Sequence, residues 1–296
     1  MAIGYLSVAI NDMKNILPTF RYEKPLWKKG YFVIGVDEVG RGALAGPLTV
    51  GAVCFYFDKA LQPASRINNT SKNSATQFLS HESLTSPSAG PLESEKIAFA
   101  SFLAKTLLPP EKIKKLGIND SKKLTAKRRE ELAKIIKKIS LGYSTSSVQP
   151  GVISRLGIVK ATEKAIRKAV TQVIKKLSNL EIKNKLYFNC LITQLPNYYL
   201  LIDAFYVKYL RGIGLKKQKA IIKGDEKSIS IAAAAIIAKV ERDHTMIKLG
   251  HKYPIYFWEK NKGYGTRRHI EAIKKFGKSK LHRDLYLRKL LEVEDI

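Results

Sequence analysis

An α/β fold built round one main domain is predicted by three features of this 296-residue chain. Short apolar, β-rich runs alternate with longer stretches of helical periodicity, the pattern of strands and helices packed on a common core. Hydrophobic residues make up 45% of the sequence, which is ordinary for a globular protein. A chain of this length buries about 75% of its unfolded surface and needs neither disulfide nor structural metal to fold.

The elements follow in order. Residues 31–36 (YFVIGV) and 48–57 (LTVGAVCFYF) read as strands, joined by a loop containing Gly40, Gly42 and Gly46. Residues 63–94 are rich in Ser, Asn, Thr and Pro and lack hydrophobic periodicity, so they read as a flexible insertion. Thr125 is placed to N-cap a helix whose apolar face is Leu132, Ile135, Ile136 and Ile139. A strand-like SLGYSTSSV follows, then a helix from about Ile153 to Leu177. Tyr198–Val207 reads as a buried strand, Ala220–Ile222 as another, and residues 230–243 as an alanine-rich helix able to pack close to a sheet. The last 45 residues read as helical and basic, with a Gly-Tyr-Gly turn at 263–265. The expected organisation is an N-terminal extension (1–30), a main core (31–249) and a C-terminal helical subdomain (250–296), with no internal repeat.

Charge narrows the function. Lys and Arg number 53 against 25 Asp and Glu, a net +28. Such a chain collects polyanions, either nucleic acid or an anionic membrane face; a basic protein with no polyanion role is the plain alternative. The two cysteines, Cys54 and Cys190, make no disulfide framework and suit a reducing compartment. No CxxC pair, HExxH string or P-loop is present, which disfavours zinc chemistry and P-loop nucleotide hydrolysis. The longest apolar run, Ile229–Ala238, is interrupted by Ser230 and falls far short of the roughly 20 residues of a membrane span. The N-terminus resembles neither a signal peptide nor an anchor, so a cytoplasmic placement without membrane partners is expected.

Four carboxylates stand where carboxylates are costly. Asp37 and Glu38 end an apolar strand, Asp203 lies inside LLIDAFYV, and Asp225 follows IIKG. Burying a carboxylate costs several kcal/mol unless it is compensated. The compensation is either a paired Lys or Arg, or a divalent metal. Should the four strand ends converge, only metal charge could hold them together, and an all-oxygen set suits Mg²⁺ or Mn²⁺. A lone strand aspartate is ordinarily a turn residue or half of an ion pair; spacing alone leaves both readings open.

These residues lie in strings that resemble a known family. GVDEVGRGALAGPL (35–48) is similar to the first signature of type 2 ribonuclease H, the ribonuclease HII family. The similarity continues, in the family's order, through INDSKKLTAKRREEL (118–132), LLIDA (200–204), KGDEKSISIAAAAIIAKVERD (223–243) and KGYGTRRHIEAIKKFGKSKLHR (262–283). The resemblance implies a ribonuclease-H-like mixed five-stranded sheet flanked by helices, with a C-terminal helical extension. It implies an endoribonuclease of genome maintenance that cuts the RNA strand of RNA/DNA hybrids, and duplex DNA 5′ of a single ribonucleotide. The products would carry 3′-hydroxyl and 5′-phosphate ends. Asp37, Glu38, Asp203 and Asp225 would be the catalytic acids and would hold two divalent ions, Mg²⁺ or Mn²⁺.

The remaining roles are carried over in the same way. Gly40, Arg41 and Gly42 would sense the RNA–DNA junction, Ser121 and Lys122 would contact backbone phosphate, and Tyr264 would stack beside the ribonucleotide. Lys223 would orient Asp225 or bind phosphate, and Lys262, Arg267 and Arg268 would touch the duplex. Asp120 reads as a cap or turn residue. Ala43, Ala204, Ala235 and Asp284-Leu285-Tyr286 depart from the family pattern without removing an acid. No sliding-clamp motif is evident, and a monomer is expected. Two rivals remain: a ribonuclease HIII-like hybrid nuclease, and a non-catalytic nucleic-acid-binding protein on the same scaffold. Against the first stand the short stretch before Tyr31 and an aspartate, Asp225, as the fourth acid; against the second stands the intact quartet.

Overall fold

The computed structural model describes residues 17–57, 108–183, 197–210 and 212–291. The expected insertion at 63–94, Cys190 and the stretch 184–196 lie outside the described residues. Five strands form one mixed sheet: β1 (Tyr31–Val39), β2 (Leu48–Phe55), β3 (Gly142–Val148), β4 (Asn197–Asp203) and β5 (Gln218–Ile221), in the order β3-β2-β1-β4-β5. β1, β2 and β3 are antiparallel neighbours, while β4 runs parallel to β1 and β5 parallel to β4.

The helices are α1 (Lys24–Trp27), α2 (Pro110–Lys114), α3 (Ala126–Ile139), α4 (Pro150–Leu156), α5 (Ile158–Lys183), α6 (Ile229–Lys252), α7 (Trp258–Asn261), α8 (Arg267–Phe276) and α9 (Asp284–Leu291). Thr125 caps α3 as expected, its hydroxyl accepting from Arg128 N–H at 3.2 Å. Leu132, Ile136 and Ile139 face the core. Every residue of β2 is buried, which requires cover on both faces of the sheet. α6 supplies it across β1 and β2, and α5 across β2 and β3.

Several boundaries differ from expectation, three of them as follows. The helix expected from Ile153 breaks into α4 and α5 at Gly157, whose φ of +76° no helix interior allows. The strand expected to run through Val207 stops at Asp203, because Ala204 turns left-handed (φ +66°) and gives its N–H to the Ile221 carbonyl at 3.1 Å. The alanine-rich helix runs to Lys252 rather than ending at residue 243. Among the described residues, no helix is long and apolar enough to cross a membrane.

α6 lies very close to the sheet. A Cβ at Gly35 would overlap the Ser230 backbone, and one at Gly51 would overlap the Ala234 carbonyl. Buried Glu23 pins the start of this helix, accepting from Ser228 Oγ at 2.6 Å and Ser230 N–H at 3.0 Å. Phe20 and Trp27 join the same core, and Trp27 Nε1 donates to the Phe55 carbonyl at 3.0 Å. A second apolar cluster, centred on Trp258, Tyr256, Met246 and Ile273, joins the C-terminal helices to Leu44 and Ala45 of the β1–β2 loop. Gly51→Ala is expected to cost about 1–3 kcal/mol through overpacking, read as a fall in Tm of about 2–4 °C per kcal/mol. An unchanged Tm would show that the helix does not need this close approach.

Candidate active site

Strand pairing assembles the acidic edge. The parallel register Val36↔Ile202 carries β1 and β4 forward side by side, so Asp37 and Glu38 end next to Asp203. β5 finishes opposite Asp203, and after Lys223 (φ +54°) the chain turns through Gly224–Glu226, which brings Asp225 in. Asp203 Oδ1 accepts the Gly224 N–H at 2.7 Å, tying the third acid to the turn that holds the fourth.

The four acids form one electrostatic cluster. Burial, then the charges of Glu38, Asp203 and Asp225, pushes the Asp37 carboxyl well above the usual range. Burial raises Glu38 too, opposed by Arg41 and reinforced by Asp203. Asp225 is raised by burial and by Asp120, opposed by Lys122. Each side chain answers to its own neighbour: Asp37 Oδ1 to Glu38 N–H at 2.7 Å, Glu38 Oε1 to Arg41 Nη1 at 3.3 Å, and Asp225 Oδ2 to Lys122 Nζ at 3.5 Å. Among the described residues, no three His, Cys, Asp or Glu side chains stand as a ready-made metal cage. The donor set nonetheless fits a hard divalent cation: it is all oxygen, it repels itself, and the buried Glu38 Oε2 has no hydrogen-bond partner.

The loop beyond Val39 is held from beneath. Arg283 and Arg242 are fully buried. Arg283 Nη1 donates to the carbonyls of Gly40 (2.7 Å) and Arg41 (3.0 Å), and its Nε and Nη2 donate to the Gly46 carbonyl (3.0 and 2.9 Å). Arg242 donates from Nε to Pro47 (2.9 Å) and from Nη2 to Ala45 (3.3 Å). Burial lowers both guanidiniums, Arg283 to about 10 with Arg242 contributing. With these carbonyls turned inward, the N–H groups of Arg41 and Gly42 donate to no acceptor among the described residues. Gly40 has φ +89°, and a Cβ there would meet the Arg242 side chain.

Tyr264 belongs to the same unit. Its ring lies 5.2 Å from Arg242 Cζ, and it is part-exposed at the rim. The preceding Gly263 carbonyl accepts Leu44 and Ala45 N–H at 2.8 and 3.1 Å. His269 Nδ1 donates to the Tyr264 carbonyl at 2.8 Å, which leaves its Nε2 to accept from Trp258 Nε1 at 2.9 Å. His282 stands 3.2 Å away, and burial followed by His269 lowers it to about 4. Both rings are therefore neutral at pH 7, and they fix the backbone that presents Tyr264.

Other expected contacts fall as follows. Asp120 is the cap expected of it, accepting Lys122 N–H at 2.9 Å. Ser121 is buried, with its carbonyl on Arg129 Nη1 at 2.9 Å, while the Lys122 side chain is 81% exposed. The cation on Asp225 is Lys122, while Lys223, expected to orient Asp225 or bind phosphate, is exposed to solvent. Arg267 pairs with Glu271 at 2.8 Å, Arg268 lies 4.3 Å over Phe257, and Lys262 Nζ donates to the Glu259 carbonyl. Arg242 was missed in the sequence. Its signal was position: it follows Ala235 and Ala238 at helical spacing, on a face otherwise wholly buried.

A sequence model of the Ribonuclease HII family matches residues 93–289, which leaves Asp37 and Glu38 outside the matched span. Whole-chain relatives take them in. The Ribonuclease HII of Caldanaerobacter subterraneus subsp. tengcongensis is 35% identical over 95% of this chain and 85% of its own length. That of Caldicellulosiruptor bescii is 32% identical over 93% of this chain and 96% of its own. Among solved structures, the RNase HII of a PCNA complex from Archaeoglobus fulgidus superposes with a TM-score of 0.51 at 23% identity, covering 86% of this chain and 94% of that one. Bst-RNase HIII in complex with Mn²⁺ gives 0.53 at 16% identity, covering 90% and 71%. Both show the likeness of fold. The matches to these relatives extend over this chain's acidic strand ends and its β1–β2 loop, and the chain belongs to the ribonuclease HII family of ribonuclease H enzymes.

Proposed function

We propose that this chain hydrolyses the RNA strand of RNA/DNA hybrids and cuts duplex DNA 5′ of a single ribonucleotide, leaving 3′-hydroxyl and 5′-phosphate ends. The observation that carries the reading is the mutually repelling set Asp37, Glu38, Asp203 and Asp225, buried or half-buried at the ends of neighbouring strands, beside a loop in which the N–H groups of Arg41 and Gly42 donate to no acceptor among the described residues. Asp37, Glu38, Asp203 and Asp225 would hold two Mg²⁺ or Mn²⁺ ions, which supply charge to neutralise the quartet and Lewis acidity at the scissile phosphate. The chain's own groups do the rest. Lys122, exposed and next to Asp225, reaches a phosphate laid on the acids, with Ser121 beside it. Arg41 bridges the acids and the loop, and its guanidinium can hold a phosphate bidentately. The N–H groups of Arg41 and Gly42 meet the 2′-hydroxyl, the group that separates RNA from DNA, and the Tyr264 ring closes over the sugar.

Residues 31–249 serve as the catalytic core and 250–296 as the support for Tyr264 and the loop. The protein works as a cytoplasmic monomer. The net +28 brings in duplexes without regard to sequence.

The reading is tested by offering the protein a DNA duplex with one ribonucleotide, and a long hybrid, in Mg²⁺ and in Mn²⁺, and mapping the ends. A substrate left intact in both metals would sink it. Asp37→Asn should lower the rate by orders of magnitude while duplex affinity changes little, in single-turnover and binding assays.

The same substitution has a stability signature. The Asp37 pKa is raised in the fold, so the parent is favoured where that group is protonated and loses stability as pH rises from the unfolded value. Asp37→Asn should therefore melt above the parent in metal-free buffer, with the gap widening from about pH 4 upward. A variant that melts lower at every pH would show that the acids do not repel. Arg283→Met removes a charged donor from the loop carbonyls, each such bond worth about 1.5–3 kcal/mol. It should lose ribonucleotide selectivity, with Arg283→Lys recovering part. Selectivity equal to the parent's in the methionine variant would place junction sensing elsewhere.

A further inference from the structure

β4 and β5 are parallel neighbours, so the chain must travel back along the sheet edge between Asp203 and Gln218. The returning segment is firmly anchored. Buried Gln218 accepts the Val207 N–H at 3.0 Å and donates to the carbonyls of Val207 (2.9 Å) and Ile213 (3.4 Å). Val207, Leu210 and Ile213 plug into the core. Arg167 on α5 holds the Lys208 carbonyl at 2.8 Å.

What this anchored segment turns outward is unusual. Tyr206 is 53% exposed and Tyr209 is 91% exposed. Tyr209 also sits at φ +57°, a left-handed conformation that bulky side chains rarely adopt, and burial does not repay it. Beside Tyr209 lies an open apolar recess of about 310 Å³, walled by Val207, Leu210, Ile213 and Leu215. Between Asp203 and Asp225 the sequence carries Lys208, Arg211, Lys216, Lys217, Lys219 and Lys223 and no acid.

The segment starts at the active site and runs back from it beside β4 and β5. Phe205 lies 5.5 Å from Arg41 Cζ. Tyr206 is three residues from Asp203, at most about 10 Å away along the chain. Exposed rings interleaved with cations are what unpaired nucleic acid requires, because every base offers a π-face and every linkage a negative charge.

We propose that residues 205–210 and 212–216 form a binding site for single-stranded nucleic acid continuous with the duplex in the active site. An unpaired base stacks on Tyr209 over the recess, Tyr206 takes its neighbour, and Lys208 and Lys216 take the phosphates. The proposal rests on the reading that the quartet receives a duplex, and its test separates the two.

The probes are a one-ribonucleotide duplex, blunt or with a single-stranded tail on either strand, bound in EDTA so that nothing is cut. The parent should bind at least one tailed duplex about tenfold more tightly than the blunt one. A Tyr206→Ser, Tyr209→Asn double variant should lose that gain while keeping blunt-duplex affinity and blunt-duplex cleavage; asparagine is chosen because it tolerates the left-handed backbone. Lys208→Gln with Lys216→Gln should reduce the salt slope of tail binding by about two. A parent that gains nothing from either tail, or a double variant that keeps the gain, overturns the proposal. So does a parent that sediments as a dimer, becomes a monomer in the double variant, and ignores the tail. A parent that leaves the blunt duplex uncut but prefers the tail defeats the catalytic reading and leaves this one standing.

Discussion

Like charge gathered, buried or half-buried, at the ends of neighbouring strands is the constraint on which the rest of the molecule depends. Parallel pairing of β1 with β4 sets Asp37 beside Asp203, and the left-handed backbone at Lys223 swings Asp225 toward them. Neither solvent nor a full complement of cations answers these charges. Arg41 holds one oxygen of Glu38 and leaves the other bare; Lys122 touches Asp225 from the surface; Asp37 has only a backbone N–H. Such an edge destabilises the fold unless a ligand brings positive charge, and this is the ordinary cost of a site arranged for binding rather than for stability.

Packing elsewhere compensates. α6 seats its alanines against β1 and β2 where Gly35 and Gly51 leave room, and the same helix carries Arg242 one turn beyond Ala238. One element thus closes the core and supplies the cation under the β1–β2 loop. Arg283, from the C-terminal region, supplies the other. Among the described residues neither buried guanidinium pairs with a carboxylate, which would be costly in an apolar setting. Here main-chain carbonyls accept from both, leaving only Arg242 Nη1 without a partner, and this orients the loop. The C-terminal helices are therefore part of the site, through Arg283 beneath Gly40 and His269 behind Tyr264.

Much of this was legible in the sequence because it is local. Short apolar, β-rich runs located β1 and β2, helical spacing located α3, and Thr125 announced its own cap. Asp37, Glu38, Asp203 and Asp225 stood out because apolar neighbours make a carboxylate conspicuous. What was not legible depends on through-space partners or on single dihedral angles. The apolar run after Asp203 looked like more strand, yet Ala204 turns, and Val207 is buried as the plug of a loop. Gly157 divides a helix without disturbing its apolar periodicity. Lys122 and Lys223 are equally plausible partners for Asp225 along the chain, and only the fold chooses Lys122. Arg242 was hidden by composition, since one more cation carries little information in a chain with 53 of them.

The central claim is that the acidic quartet is a divalent-cation site left repelling itself until filled. Calorimetric titration of Mn²⁺ into the metal-free protein, without nucleic acid, tests it most directly. The parent should bind Mn²⁺ saturably, and Asp37→Asn and Asp203→Asn should each weaken that binding at least about tenfold, the equivalent of one 1.4 kcal/mol step. Binding of equal strength in parent and variants, or none in the parent, would contradict it.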